Sequence, residues 1–340
     1  MFQVKKIRKI QKMIAVLLLT WNKHMNKIVV LQPKSEFNGD LQYRLGYSGE
    51  VEYVDSVREY SVEELIHLAK KADILAFNPD RMGGIEKVSS RLQELLEGIP
   101  NLKGLALNTW RTDYINKDYL KERKIVVSNT PNYYVEAIAT QAVALLLGCA
   151  RRIFLADRRT QKRKYRLELG REPRSLAVGI VGLGHVGERV AELCKGLGMS
   201  VSAYNRTPKR IENVRRADID EILRGSDVIV LCLSTNEETI GFLSKERIPR
   251  IKNGAIVINM SDKKLVNEKA MADSLKSGKI DQYAYETEST HKSPLEGIET
   301  ALAFKPFGGY TREALGRNRE VWVRNIEDLS RGKPTNMVSL

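Results

Sequence analysis

The chain has 340 residues, 42% of them hydrophobic and 29% charged, with a formal net charge of +14. That length accommodates two domains, each with its own core, and the composition is that of a soluble globular protein. Eight basic residues and no acid lie before Glu36, and a second basic cluster runs from Arg151 to Arg174, with no nucleic-acid motif in either, so the charge reads as solvated basic faces and no nucleic-acid partner is expected.

Residues 1–24 form a basic and apolar extension. The apolar stretch Met13 to Trp21, preceded by Lys5, Lys6, Arg8, Lys9 and Lys12, resembles a secretory signal superficially. It is short for one, lacks a small-residue cleavage site and is too short to span a bilayer, so no membrane contact is expected. From Met25 onward, short apolar runs alternate with helical patterns, the mark of a parallel sheet covered on both faces. Predicted strands are Ile28 to Leu31, Val51 to Val54, Ile74 to Phe77, Leu105 to Leu107 and Ile125 to Val127, and Ser61 with Glu64 forms a capping box. Arg81 follows the third strand and Arg111 the fourth, both placed to grip an acid, or else ion-paired with Asp80 and Asp113; Trp110 reads as core. Ala137 to Ala150 is apolar on nearly every side, so it is buried in the core or against another subunit, and residues 134–152 are the predicted seam of a homodimer.

Residues 176–187 carry a buried-strand run straight into Gly182-Leu183-Gly184-His185-Val186-Gly187 and then into an amphipathic helix. This G-x-G-x-x-G context predicts a dinucleotide. Gly182 makes the turn, Gly184 admits a pyrophosphate, and Gly187 lets the helix pack closely, with the phosphates at the helix N-terminus. After the next strand, Val201 to Tyr204, comes Asn205-Arg206-Thr207, then Lys209 and Arg210, with no carboxylate to accept from the ribose hydroxyls. NADP is therefore expected in preference to NAD, unless the cations form a solvated turn. Asp227 to Leu233 and Ala255 to Asn259 read as strands, and Asn267 caps a helix ending at Gly278. A last helix from Arg312 carries Leu315, Trp322, Ile326 and Leu329. Cys149, Cys194 and Cys232, odd in number and set in apolar segments, read as reduced thiols of a cytoplasmic protein. No metal site is expected.

The fold class is α/β: a Rossmann domain over 128–307, and a smaller flavodoxin-like substrate domain built from 25–127 and 308–340. Hinges fall near Val127 to Tyr133 and Lys305 to Tyr310, and the interdomain cleft is the expected ligand site. Several ordered segments then resemble the D-isomer-specific 2-hydroxyacid dehydrogenases: Asn129-Thr130-Pro131, the glycine motif, Leu233-Ser234-Thr235-Asn236, Asn259 to Glu268, and Gly308-Gly309-Tyr310-Thr311. The resemblance implies hydride transfer between a nicotinamide and a small 2-oxo or 2-hydroxy acid. It implies cofactor contacts from Gly182, Gly184, His185, Val186, Gly187, Asn205, Arg206, Thr207, Leu233, Ser234 and Asn259. The family's Arg, Glu and His are not retained: Asp262 stands where Arg is expected, the Pro-His segment is Lys305-Pro306-Phe307, and the carboxylate position falls on His291, or on Glu288 with a small gap. His291, Lys305, Lys263 and Asp262 are the candidate replacements, with Lys264 also near. The competing reading is a catalytically inactive nucleotide sensor or scaffold.

Overall fold

The computed structural model describes residues 25–340 apart from Pro208, Arg210 and Asn213, so the extension over 1–24 and the contribution of Arg210 lie outside the described residues. The chain divides into two compact units, one holding residues 25–133 with Leu315–Leu340, the other Tyr134–Ala314.

The first unit is a five-stranded parallel sheet: β1 (Lys27–Pro33), β2 (Glu50–Val54), β3 (Ile74–Phe77), β4 (Gly104–Leu107) and β5 (Val126–Ser128), in the order β2-β1-β3-β4-β5. β3 and β4 are buried at every position, which is why they read as unbroken apolar runs. The capping box forms: Ser61 accepts from the Glu64 N–H while the Glu64 carboxylate takes the Ser61 N–H, and the helix Val62–Ala69 follows. The C-terminal helix Arg312–Ser330 returns to this sheet and seats Trp322 against Ile28, Val30 and Ala106, its indole N–H donating to the Ala106 carbonyl at 2.8 Å.

The second unit is a seven-stranded parallel sheet. Its strands are β6 (Ala177–Val181), β7 (Ser200–Tyr204), β8 (Arg215–Arg216), β9 (Val228–Leu231), β10 (Ala255–Asn259), β11 (Ile280–Glu286) and β12 (Ala301–Phe304), ordered β12-β11-β10-β9-β6-β7-β8. The strand order reverses between β6 and β9, the switch point at which a doubly wound sheet binds a dinucleotide. The helix Val135–Ala150 packs on the helix His185–Gly196 and on β10, and most of it is buried within its own unit; Thr140 and Ala144 are exposed. β8, β11 and β12 carry no sequence prediction. β11 places Asp281 and Gln282 inside a strand, and β12 is only four residues long.

No single helix among the described residues is long and apolar enough to cross a membrane, and none of their side chains forms a metal-holding cluster.

Candidate active site

The turn between β6 and the helix His185–Gly196 distinguishes its three glycines by what surrounds them. Gly182 sits at φ +100, where a Cβ would lie 2.8 Å from the Cys232 carbonyl oxygen. At Gly187 a Cβ would come within 1.9 Å of the Gly182 carbonyl oxygen, so the helix is pressed onto the turn. Gly184, the helix N-cap, has no atom within 4 Å of such a Cβ. Two of the glycines are thus required by the protein's own packing, and the third faces open space at the positive end of a 12-residue helix. That is the cradle a pyrophosphate needs. His185 beside it is exposed, and Val186 packs into the core.

Asn205, at the end of β7, accepts from the Leu183 N–H at 3.0 Å and donates to the Thr207 carbonyl at 2.8 Å, tying this loop to the glycine turn with a neutral amide. Arg206 is exposed and ion-paired with Glu238, and Lys209 is paired with Glu188. Three loops follow the carboxyl ends of β9, β10 and β11. Asn259, called above as a cofactor contact, is fully buried. Its amide oxygen accepts from Ser261 N–H (2.9 Å) and its amide nitrogen donates to the Tyr283 phenol (3.1 Å) and the Asp262 carbonyl (3.3 Å), so it acts by shaping the loop. Ser261 in turn donates to the Leu233 carbonyl at 2.8 Å, and Ser234 follows exposed. Asp262 is exposed and caps the short turn Lys263–Leu265 by accepting from the Lys264 N–H at 2.9 Å; Lys263 is exposed.

Lys305 does not stand free: its ammonium donates to the Glu288 carbonyl at 2.6 Å and to the Glu288 carboxylate at 3.2 Å. His291 is exposed in the loop between β11 and β12, its backbone N–H donating to Ser289 Oγ at 3.1 Å. The sequence reading missed Glu286 as a candidate group. It ends β11, accepts from the Gly308 N–H at 2.8 Å, and lies with the Met260 methyl and the Gln141 stem around the position a Gly308 Cβ would take. Burial raises its carboxyl above the usual range, and the N–H groups of Gly308 and Phe307 offset part of that rise. Gly308 lies 22 residues further along the chain, so neither this contact nor the burial of Glu286 was visible in the sequence.

In the other unit, Arg81 is buried in the turn Pro79–Met82 with 6% exposure. Arg111 holds Asp113 in a two-point ion pair at 3.0 and 2.6 Å, the alternative the sequence left open. Trp110 is 47% exposed, which corrects its reading as core: it lies in the loop beyond the end of β4.

Comparison with known proteins places this geometry. The family "D-isomer specific 2-hydroxyacid dehydrogenase, NAD binding domain" matches residues 143–302. The chain is 31% identical over 325 residues to the D-3-phosphoglycerate dehydrogenase of Archaeoglobus fulgidus, covering 92% of this chain and 59% of that one. It is 31% identical over 264 residues to a glyoxylate reductase of Thermococcus litoralis, covering 73% and 80%. Among solved structures, an acyclic imino acid reductase in complex with NADPH and D-Arg superposes with a TM-score of 0.75 at 26% identity, covering 92% of this chain and all of that one. The chain belongs to the D-isomer specific 2-hydroxyacid dehydrogenases, oxidoreductases that act on a CH–OH or C=O group with a nicotinamide coenzyme.

Proposed function

We propose that this chain is an NADP-preferring oxidoreductase for a small 2-oxo or 2-hydroxy acid, working with a non-standard catalytic set. The observation that carries the coenzyme preference is Asn205: a neutral amide occupies the end of β7, where a carboxylate would repel a 2′-phosphate. Arg206 supports it. Its present partner, Glu238, is an exposed carboxylate, and such a surface pair is weak enough to yield to a phosphate dianion that the guanidinium grips at two points. The solved relative with NADPH agrees with this reading.

The coenzyme supplies or takes the hydride; the chain must orient the acid and exchange one proton with the oxygen on C2. Arg81 and Arg111 are the proposed cations for the substrate's carboxylate. His291 is the proposed proton carrier, being an exposed imidazole in the loop that leaves β11, with Lys305, Lys263 and Asp262 shaping the charge around it. The inactive sensor has no independent observation in its favour. Three unpaired cysteines, with Cys149 and Cys194 pushed up to about 12 by burial, support a reducing cytoplasmic setting. The exposed part of 134–152 is the proposed contact with a second copy. The coenzyme assignment is tested by fluorescence titration with NADPH and NADH. In Arg206→Ala, NADPH affinity is expected to fall about 10-fold or more while NADH affinity holds; an unchanged preference refutes the assignment.

A further inference from the structure

The first two cations that follow β7 among the described residues already hold carboxylates: Arg206 is ion-paired with Glu238, and Lys209 with Glu188. The two partners differ in kind. Glu188 lies in the first turn of the helix His185–Gly196, where the positive helix end favours a negative side chain for its own sake. Glu238 comes instead from the loop that follows β9. In the sheet, β9 and β7 are the two neighbours of β6, so the Arg206–Glu238 pair joins the loops that leave the strands on either side of the glycine turn. A dinucleotide enters between those loops.

Both loops are stiffened from within. Asn236 Oδ1 accepts from the Glu238 N–H at 3.0 Å and the Thr239 N–H at 3.1 Å, while Thr239 Oγ1 accepts from the Asn236 N–H at 2.8 Å and donates to the Ser234 carbonyl at 2.7 Å. Across the turn, Asn205 bonds both Leu183 and Thr207. The two side chains are nonetheless 75% and 68% exposed, so the pair adds little to stability. Its consequence is that the guanidinium is occupied. A phosphate dianion brought to Arg206 has to displace the carboxylate and then stand beside it, and like charges at that separation repel even near the surface. A ribose with a free 2′-hydroxyl carries no such charge, and its hydroxyl is a donor that a carboxylate accepts.

We propose that Glu238 is a specificity-determining residue: its carboxylate competes with the coenzyme's 2′-phosphate for Arg206 and so narrows the margin by which NADPH is taken over NADH. This inference rests on the NADP-preferring reading above, and the experiment separates the two. Fluorescence titrations with NADPH and with NADH are run on the wild type, Glu238→Gln, Arg206→Ala, the double variant and Asp273→Asn. Asp273 is the control for removing any one negative charge, being exposed near the C-terminus of the helix Glu268–Lys276, toward the amino ends of the strands and away from the glycine turn. Glu238→Gln is expected to tighten NADPH about 10-fold while NADH affinity holds or falls by up to about threefold. In the Arg206→Ala background the gain is expected to shrink below about twofold, because the contested group is gone. Asp273→Asn is expected to change neither affinity. NADPH affinity unchanged or weakened in Glu238→Gln, an equal gain for both coenzymes, a full gain without Arg206, or the same gain in Asp273→Asn overturns the role of Glu238. Loss of NADPH affinity in Arg206→Ala with no effect of Glu238→Gln overturns that role alone and leaves the coenzyme reading standing. A preference untouched in Arg206→Ala, or a wild type that binds neither coenzyme, overturns both.

Discussion

At the scale of the residue, glycines with one motif have three different reasons to be glycine, and substitution separates them. Gly187→Ala drives a methyl to 1.9 Å from the Gly182 carbonyl oxygen, and neither backbone segment has room to retreat. The expected cost is about 3 kcal/mol, read by urea unfolding. Gly184→Ala meets nothing within 4 Å, so stability should change by less than about 0.5 kcal/mol, while coenzyme affinity falls about 10-fold or more because the methyl occupies the phosphate's approach. A variant that binds coenzyme normally would show that the open space at Gly184 is not the cradle. Glu286 adds a pH signature. Its carboxyl is raised in the folded state, so the native protein holds a proton that the unfolded chain has already released. Stability therefore declines as pH rises from the ordinary glutamate range to the raised value, and stays lower above it. Glu286→Gln is expected to flatten that part of the stability profile, measured by denaturation across pH 4 to 8; a profile identical to wild type would contradict it.

At the scale of the element, Asp227 ties the amino ends of β6 and β9 together. It precedes β9, accepts from the Ala177 N–H at the start of β6 at 2.9 Å, and pairs with Arg171 and Lys252, both at 2.8 Å. Burial alone would raise its carboxyl. Arg171, the Ala177 N–H and Lys252 overcome that and hold it well below the usual range. Its contribution is fully present above the ordinary aspartate range and is lost as the pH falls through the depressed value. Asp227→Asn is expected to cost about 3 kcal/mol at neutral pH, with the loss shrinking in acid; a pH-independent difference would rule out the charge as its cause. The sequence marked this strand by its apolar run, and the strand ends at Leu231 rather than Leu233 because Cys232 and Leu233 turn away to close over the glycine loop.

At the scale of the whole molecule, the two units are built from one chain that leaves the first at Tyr133 and returns to it at Leu315. The return is energetic as well as topological, because Trp322, Val323 and Ile326 complete the face of the first sheet made by Ile28, Val30, Ile74 and Ala106. Trp322→Ala is expected to destabilise that unit by about 3–5 kcal/mol and to split thermal unfolding into two transitions, with coenzyme raising only the second. A single transition in which both units melt together would contradict it. The sequence by itself determined the apolar strands of the parallel sheets, apart from β8, β11 and β12, together with the helix caps and the dinucleotide turn. These are encoded locally, by periodicity, by glycine's freedom and by side chains that bond to backbone three residues away. Only the tertiary structure decided that Arg81 is buried, that Arg111 is held by Asp113, that Lys305 is held by Glu288, that Asn259 shapes its loop, and that Glu286 lies half-covered beside Gly308. Solvent exposure and partner choice depend on which distant segments meet, and no window of sequence contains that.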